Sequence, residues 1–334
     1  MPEASSEQTL PEALDAANVA DFLVRRRVLN RSQAVTRTES LGGGVSSVVL
    51  LVETGGARYV VKQPLERLRV AEEWRAGRER ALIEAAALAF AGRAAPGSVP
   101  TLVDLDADTY AVTMAAAPPT WRPWKEMLLE GLADPRRAVV LGMLLGTLHA
   151  ASRADPELLR SLGDLHLFEQ LRIDPYHRTV AGRHPDLAAT IAGVIDQLLR
   201  PRTRAFVHGD FSPKNVLVGD EGCWLIDFEV AHAGNPLFDV AFMTSHLLLK
   251  SLHRPPDAGR LRGVASAFLD AYRATDAPAF ERQDLTGHVG CLVLARVDGK
   301  SPVDYLDTKA RESARALGRR LLKDGGDILE TWPA

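Results

Sequence analysis

Residues 206–218 read Phe-Val-His-Gly-Asp-Phe-Ser-Pro-Lys-Asn-Val-Leu-Val, and residues 225–229 read Leu-Ile-Asp-Phe-Glu. Apolar strand-forming residues flank a polar cluster in each stretch, which predicts that Asp210, Asn215 and Asp227 are held rigidly at strand ends. Phosphoryl transfer needs these residue types. One carboxylate orients an attacking hydroxyl, while a second carboxylate and an amide oxygen hold Mg²⁺, which prefers oxygen ligands.

A glycine-rich turn precedes the first strands of the chain. Residues 41–48 read Leu-Gly-Gly-Gly-Val-Ser-Ser-Val. Glycines lack a Cβ atom and let backbone N–H groups approach a phosphate closely. We therefore expect nucleotide phosphates to meet this turn at Gly43, Gly44, Ser46 and Ser47.

A lysine ends the second strand of the predicted hairpin after this turn. Lys62 closes Tyr-Val-Val-Lys and can reach the α- and β-phosphates of a nucleotide. A helix predicted over residues 71–91 supplies two acidic candidates to hold that lysine. Glu84 is preferred because its neighbours are apolar and should turn it inward, and Glu79 is the alternative.

The remaining pattern predicts a strand-rich first part and a helical second part. The segment Ala-Ala-Ala-Pro-Pro at 115–119 is the best boundary, because two prolines remove two donors and stiffen the chain. Before it we predict a helix over 11–29 and strands over 48–53, 58–62, 99–104 and 110–114. After it we predict a helix capped by Asp134 and others near 186–199, 237–253, 258–275, 280–297 and 304–323.

Composition excludes several classes of protein. The chain has 334 residues, 46% of them hydrophobic and 25% charged, with a net charge of −3. No overall basic field invites nucleic acid, and no apolar run is long enough for a membrane span. The two cysteines form no metal-binding or disulfide pattern, so we expect a cytoplasmic protein. We expect it to be either a monomer or a homodimer.

Taken in order, these motifs resemble the aminoglycoside phosphotransferase and choline kinase group of small-molecule kinases, over about residues 41–306. The resemblance implies an α+β, protein-kinase-like bilobal fold. A small N-lobe, residues 1–116, would bind nucleotide and contain an antiparallel sheet and one long helix. A larger, mostly helical C-lobe, residues 117–334, would contain the catalytic loop, the metal site and the acceptor-binding helices.

The same resemblance implies roles and cofactors. ATP and Mg²⁺ are expected, with Asp210 as the catalytic base, Asn215 and Asp227 as Mg²⁺ ligands and Lys62 on the phosphates. Backbone groups near Met114 and Ala116 would hold the adenine ring.

Three further residues are candidates for substrate or phosphate contacts. Lys214 could meet the γ-phosphate or face solvent, and Glu229 could touch a second Mg²⁺ or face solvent. Arg296 could bind an anionic acceptor or form a structural ion pair.

Differences from protein kinases bear on the substrate. His208-Gly209-Asp210 stands where protein kinases have His-Arg-Asp, and Asp239 follows Asp227 too soon for a long activation loop. His208 is expected to bond backbone within the loop, and Asp239 to cap a helix or brace the loop. These features favour a permanently assembled site and a small-molecule hydroxyl acceptor over a peptide.

The acceptor remains open among several classes. Residues 61–65 and 80–84 are similar to methylthioribose kinases, whose Asp-Pro-Glu is Asp-Phe-Glu at residues 227–229 here and which lack an Asn at position 215. Mixed charges on the last predicted helix give no clear acidic pocket and favour a neutral or anionic metabolite, such as a sugar or amino alcohol. An aminoglycoside antibiotic kinase and a catalytically silent pseudokinase are the alternatives.

Overall fold

The computed structural model describes residues 13–42, 46–68, 76–220 and 222–333. The chain divides into an N-terminal unit, formed by residues 1–85 with 101–116, and a C-terminal unit, formed by 86–100 with 117–334. The sequence-based boundary lies after residue 116, whereas residues 86–100 also fall in the C-terminal unit. Both units combine helices and strands, so the predicted α+β class is confirmed.

Ten strands lie within the described ranges. They are β1 (Val35–Ser40), β2 (Ser47–Thr54), β3 (Arg58–Pro64), β4 (Leu102–Asp106), β5 (Ala111–Ala115), β6 (Arg122–Pro123), β7 (Ala205–Val207), β8 (Val216–Gly219), β9 (Gly222–Leu225) and β10 (His232–Gly234).

The α-helices of the same ranges are named in chain order. They are α1 (Val19–Arg25), α2 (Arg80–Ala94), α3 (Trp124–Leu129), α4 (Pro135–Ser152), α5 (Pro156–Ser161), α6 (His166–Phe168), α7 (Thr179–Arg183), α8 (Ala188–Leu199), α9 (Leu237–His253), α10 (Ala258–Arg273), α11 (Arg282–Asp298) and α12 (Thr308–Asp324). A π-helix occupies Glu169–Arg178, and single 3₁₀ turns occupy Pro185–Leu187, Pro213–Asn215 and Pro255–Asp257.

The N-terminal unit is built on an antiparallel sheet with strand order β1-β2-β3-β5-β4. The hairpin between β2 and β3 turns at Thr54, whose hydroxyl accepts the N–H of Ala57 at 3.0 Å. One face of the sheet packs against α1, where Phe22 and Leu23 are buried beside Leu50 of β2. This apolar layer fixes the strand register, because a one-residue slip would turn the buried side chains outward.

The C-terminal unit is organised around α9, which is buried along almost its whole length. Helices α10 and α11 pack against α9, α4 packs against α10, and α12 packs against α11. At Gly142 of α4 an added Cβ atom would lie 2.4 Å from the carbonyl oxygen of Phe268, so the close crossing of α4 and α10 requires glycine. Asp134 caps α4 as predicted, accepting the N–H of Arg136.

Two predicted helices are shorter than expected. The first was predicted over residues 11–29, but α1 spans Val19–Arg25, because Arg27 adopts a φ of 61° that ends a right-handed helix. The second was predicted from residue 71, but residues 76–79 are not helical and α2 begins at Arg80. The parts of both predictions at residues 11–12 and 71–75 lie outside the described residues.

No helix of the described part of the chain combines the length and the apolar character that crossing a membrane requires.

Candidate active site

A glycine in the left-handed conformation shapes the loop between β7 and β8. Gly209 has a φ of 78°, and a Cβ atom there would lie 2.5 Å from the carbonyl oxygen of Val230. A side chain at this position would meet both backbone strain and a steric clash. Gly209 therefore allows a sharp turn after β7, which places Asp210 three residues beyond the end of that strand.

A fully buried carboxylate braces the same loop from helix α9. Asp239 accepts the N–H of His208 at 2.6 Å through Oδ2 and the N–H of Gly209 at 2.9 Å through Oδ1. His149 donates from Nε2 to the same carboxylate at 3.3 Å and accepts the hydroxyl of Tyr272 at Nδ1. Asp239 thus satisfies two buried backbone donors and fixes the loop to the helical core.

His208 links the two polar stretches of the sequence. Its Nε2 donates to the carbonyl of Ile226 at 3.1 Å, and its Nδ1 accepts the N–H of Asp210 at 3.1 Å. Burial lowers the pKa of His208 despite the nearby carboxylates. The ring is therefore neutral with its proton on Nε2, and it serves as a backbone bridge between Asp210 and the residue before Asp227.

The carboxylate of Asp210 is contacted by three side chains. Arg172 Nη2 lies 3.2 Å from Oδ1, and Lys214 Nζ lies 3.0 Å from Oδ2. Asn215 donates from Nδ2 to Oδ2 at 2.8 Å and to the main-chain oxygen of Asp210 at 3.0 Å. Asp210 is only 5% exposed, so these contacts hold the carboxylate in one orientation.

The charges around Asp210 keep it ionised. Burial raises the pKa of Asp210, but Lys214 and Arg172 lower it, and the net pKa is below the ordinary value of 3.8. Lys214 is in turn held protonated, because the charge of Asp210 raises its pKa more than partial desolvation lowers it. The group is therefore a carboxylate at neutral pH, the form that can accept and orient a hydroxyl proton.

Sequence reasoning missed Arg172. This side chain comes from the π-helix, is 7% exposed, and donates from Nε to the carbonyl of Gly209 at 2.7 Å. Its guanidinium also lies 5.7 Å from the ring centre of Tyr176. The sequence carried no signal for this contact, because Arg172 reaches Gly209 from 37 positions away.

The two predicted metal ligands, Asn215 and Asp227, lie on either side of the hairpin formed by β8 and β9. Asn215 ends the 3₁₀ turn that leads into β8, and its amide nitrogen is held by Asp210. Asp227 comes two residues after β9 and has a φ of 71°, a strained value for a residue with a side chain. Glu229 is buried at 6% exposure, which excludes the solvent-facing alternative.

In the N-terminal unit, Lys62 pairs with Glu84. Lys62 Nζ lies 2.9 Å from Oε2 and 3.1 Å from Oε1, and both side chains are buried. The contact that the sequence favoured over Glu79 is therefore present. Ser46 and Ser47 lead into β2, whereas Gly43 and Gly44 lie outside the described residues.

A second buried arginine missed from the sequence anchors the end of that turn. Arg80 is fully buried and donates to the carbonyl oxygens of Ser46 at 2.5 Å and Leu65 at 2.6 Å. It also donates to Ala76 and Gly77, the residues just before α2. One guanidinium thus fixes both the start of β2 and the start of α2.

The predicted adenine contacts lie at the end of β5. Met114 is buried and pairs with Val60 of β3. The N–H of Ala116 donates to the carbonyl of Arg58 at 3.0 Å. This backbone donor is therefore used in a hydrogen bond to the neighbouring strand β3.

Arg296, the last predicted contact, lies on α11. It donates to the hydroxyls of Tyr176 at 3.0 Å and Ser301 at 3.1 Å. The structural alternative proposed for Arg296, an ion pair, is not among the contacts in the described part of the chain.

This combination of an antiparallel sheet, a helical unit and a braced carboxylate loop defines a protein-kinase-like class of fold. A choline/ethanolamine kinase family protein from Mesorhizobium loti has a TM-score of 0.51 and 18% identity, with 92% of this chain and 95% of that one covered. The amicoumacin kinase hAmiN, solved with AMP-PNP, Ca²⁺ and Ami, has a TM-score of 0.55 and 14% identity, with 91% and 94% covered. At these identities the likeness shows the fold.

The sequence itself matches the phosphotransferase enzyme family over residues 37–282, and the chain belongs to that family. Methylthioribose kinase 2 of Oryza sativa subsp. japonica is 23% identical over 268 residues, which are 71% of this chain. The match spans 62% of the length of that relative.

Proposed function

We propose that this protein transfers the γ-phosphate of ATP to a hydroxyl group of a small-molecule acceptor. The observation that carries the proposal is the geometry of Asp210. Its carboxylate is ionised, buried and held by Arg172, Lys214 and Asn215 on a loop fixed by Asp239. Membership of the phosphotransferase enzyme family agrees with this chemistry.

Asp210 would act on the acceptor hydroxyl. Its ionised oxygen would accept the hydroxyl proton and align the oxygen for in-line attack, which lowers the barrier mainly by positioning. Lys214 is half exposed, with 54% of its side chain accessible. That exposure suits a residue that would neutralise a transferring phosphoryl group while also orienting Asp210.

The residues after Asp210 fit a divalent cation. Asn215 uses its amide nitrogen toward Asp210, so its oxygen is the atom that would bind the ion. Asp227 would add a carboxylate oxygen, and its strained φ is a feature that clusters at functional sites. Mg²⁺ bound there would neutralise negative charge on the phosphates.

The N-terminal unit would hold the nucleotide. Lys62, fixed by Glu84, would contact the α- and β-phosphates, and backbone groups at Ser46 and Ser47 would contact the phosphates as well. The carbonyl oxygen of Ala116 would accept a hydrogen bond from the adenine amino group.

Sugars and amino alcohols are the acceptor classes we propose. Methylthioribose kinase 2, a relative, acts on a sugar according to its name, and the family neighbours include a choline/ethanolamine kinase family protein. An aminoglycoside acceptor is the second candidate, since a thermostable mutant of the aminoglycoside phosphotransferase APH(4)-Ia has a similar fold, with a TM-score of 0.50. A polycation would need an acidic cleft.

The test is release of ADP from Mg²⁺-ATP against methylthioribose, simple sugars, choline-type amino alcohols, homoserine, glycerate, glycerol 3-phosphate and aminoglycosides. We expect one class to support turnover, and Asp210→Asn to lower kcat by roughly 10²–10⁴-fold while the affinity for ATP stays within about twofold. Asp220→Asn, a change in the exposed turn after β8, is the matched control. Turnover in Asp210→Asn within about tenfold of the parent enzyme would contradict the role of Asp210. ATP binding with no transfer to any acceptor would favour a pseudokinase.

A further inference from the structure

Two lysines from two helices lie over the ring of Tyr305 in the C-terminal unit, and the charge of an arginine on a third helix, Arg296, partly offsets the rise that burial causes in the pKa of the same tyrosine. We call Lys125 of α3, Lys250 of α9 and Arg296 of α11 the cationic cluster. Lys250 Nζ lies 5.3 Å and Lys125 Nζ lies 5.8 Å from the ring centre of Tyr305. Lys250 is 1% exposed, whereas the side chain of Lys125 is 33% exposed.

Negative charge does not balance this cluster. Lys250 Nζ donates to the carbonyl of His246 at 3.4 Å, and Arg296 donates to two hydroxyls. Over the ranges that the structure describes, neither cation forms an ion pair with a carboxylate. Lys125 pairs with Asp304, whose side chain is 81% exposed. A buried ammonium without a counter-charge is unfavourable, so an anion brought by a ligand would stabilise the cluster.

Two buried polar atoms, one in the cluster and one on Tyr305, also have no hydrogen-bond partner among the described residues. They are Nε of Arg296 and the hydroxyl of Tyr305. Buried donors in folded proteins are nearly always satisfied by protein, water or a ligand. Together with Lys250 they form a set of donors suited to oxygen atoms that carry negative charge.

The cluster is connected to the catalytic loop within the same unit. Arg172, which contacts Asp210, and Arg296 lie 5.7 Å and 5.6 Å from the ring centre of Tyr176. Helix α3, which carries Lys125, packs against the turn Pro213–Asn215. A ligand bound to the cluster would therefore have its remaining atoms near the loop.

Electrostatics support the same connection. Burial lowers the pKa of His246 well below its usual value, and the charges of Arg296, Lys250 and Lys214 lower it further. Burial, Lys125 and Arg296 also lower the pKa of Lys250 to about 7, so a bound anion would favour its protonated form.

Resting on the function proposed above, we infer that the cationic cluster binds an anionic group of the acceptor, so that the acceptor is a hydroxyl compound carrying a phosphate monoester or a carboxylate. Lys250 and Arg296 supply charge and Tyr305 supplies a hydroxyl donor. A polycationic aminoglycoside would be repelled by the same residues.

The inference is tested by calorimetric binding at pH 7 without ATP. The probes are glycerol, glycerol 3-phosphate, glycerate and inorganic phosphate, which separate phosphate from carboxylate and both from an uncharged polyol. The variants are Lys250→Met, Arg296→Met and Lys62→Met, with the exposed Lys309→Met as the matched control. Lys62→Met would lose affinity for an anionic probe only if that probe binds to the N-terminal unit, and it therefore distinguishes the two locations.

We expect an anionic probe to bind at least about tenfold more tightly than glycerol, and Lys250→Met and Arg296→Met each to weaken it roughly 10- to 100-fold. The melting temperature of free Lys250→Met should be equal to or above that of the parent, which separates lost binding from lost folding. Lys309→Met should bind like the parent.

Equal affinities for Lys250→Met, Arg296→Met and Lys309→Met would overturn the inference. So would loss of anion binding in Lys62→Met alone, or no binding of any anionic probe at millimolar concentration. Turnover of uncharged acceptors that is insensitive to Lys250→Met would overturn it while leaving the kinase function standing. Anion binding through Lys250 without phosphoryl transfer to any acceptor would retain the subsite and contradict the kinase function.

Discussion

Replacing Arg172 by methionine separates a positioning role from a structural one. Methionine keeps much of the buried stem of the side chain and removes the guanidinium. The change deletes hydrogen bonds to the carbonyls of Gly209 and Leu171, and the ion pair with Asp210. Removing one partner of a buried ion pair lowers the free energy of unfolding by about 3–5 kcal/mol, which is a large part of a typical stability of about 5–15 kcal/mol.

The same change should also move the acid limb of activity. Arg172 lowers the pKa of Asp210, so its removal raises that pKa toward or above the ordinary value. The active form is the carboxylate. Its protonation, and with it the loss of kcat/KM, should therefore begin at higher pH in Arg172→Met than in the parent.

The matched control lies in the same π-helix. Arg178 forms exposed ion pairs with Glu169 and Asp174, and Arg178→Met should change stability by only about 0–1 kcal/mol. Urea unfolding and the pH profile of kcat/KM are measured for both variants. If Arg172→Met is too unstable to assay, Arg172→Lys keeps the charge and should leave the acid limb in place while lowering kcat. An acid limb at the same pH in Arg172→Met and Arg178→Met would refute the reasoning.

Three other predictions follow from single contacts. Gly209→Ala should lower the melting temperature and kcat together through strain and the 2.5 Å approach to a carbonyl, whereas Gly193→Ala, in a helix with open space, should raise stability by about 0.5–1 kcal/mol. Lys62→Met should lower kcat/KM for ATP roughly 10- to 100-fold, and an unchanged value would exclude a phosphate contact. Lys250 has a folded pKa of about 7 against 10.5, so the unfolded chain binds more protons between these values and stability should rise with pH across that window. Lys250→Met should remove that rise in urea unfolding, and a pH dependence equal to the parent's would contradict the burial of this charge.

The sequence predicted the parts of the fold that depend on local pattern. Helix α9 has the predicted bounds, and the strands of the hairpin β2–β3 lie within about two residues of their predicted ends. The Lys62–Glu84 contact was also accessible, because an apolar helix face selects which acid points inward. Long periodic segments and alternating strands are the features that propensity and burial specify most strongly.

The contacts of the two buried arginines, Arg172 and Arg80, could not be predicted from the local sequence pattern. Arg172 reaches Gly209 across 37 positions, and Arg80 reaches Ser46 across 34. Neither pairing has a spacing rule, because such contacts depend on how elements pack rather than on the residues beside them. The early start predicted for α2 failed for a related reason, since Arg80 binds the carbonyls of Ala76 and Gly77 in a non-helical turn.

Arg172 and Lys250 differ in whether the protein itself compensates their buried positive charge. Both cations are buried in the C-terminal unit. Arg172 is compensated by Asp210 and two carbonyl oxygens, so its charge is balanced before any substrate arrives. Among the described residues, Lys250 donates one hydrogen bond, to a carbonyl oxygen at 3.4 Å, and lies over the ring of Tyr305. We expect an apolar residue of similar volume at this position to make the free protein more stable. A buried charge that lowers the stability of the free protein is expected where a ligand supplies the opposite charge. The ion pair then forms only on binding, and its energy contributes to the affinity for the ligand. On this argument the acceptor's anionic group is recognised at Lys250, while the hydroxyl that reacts is oriented at Asp210.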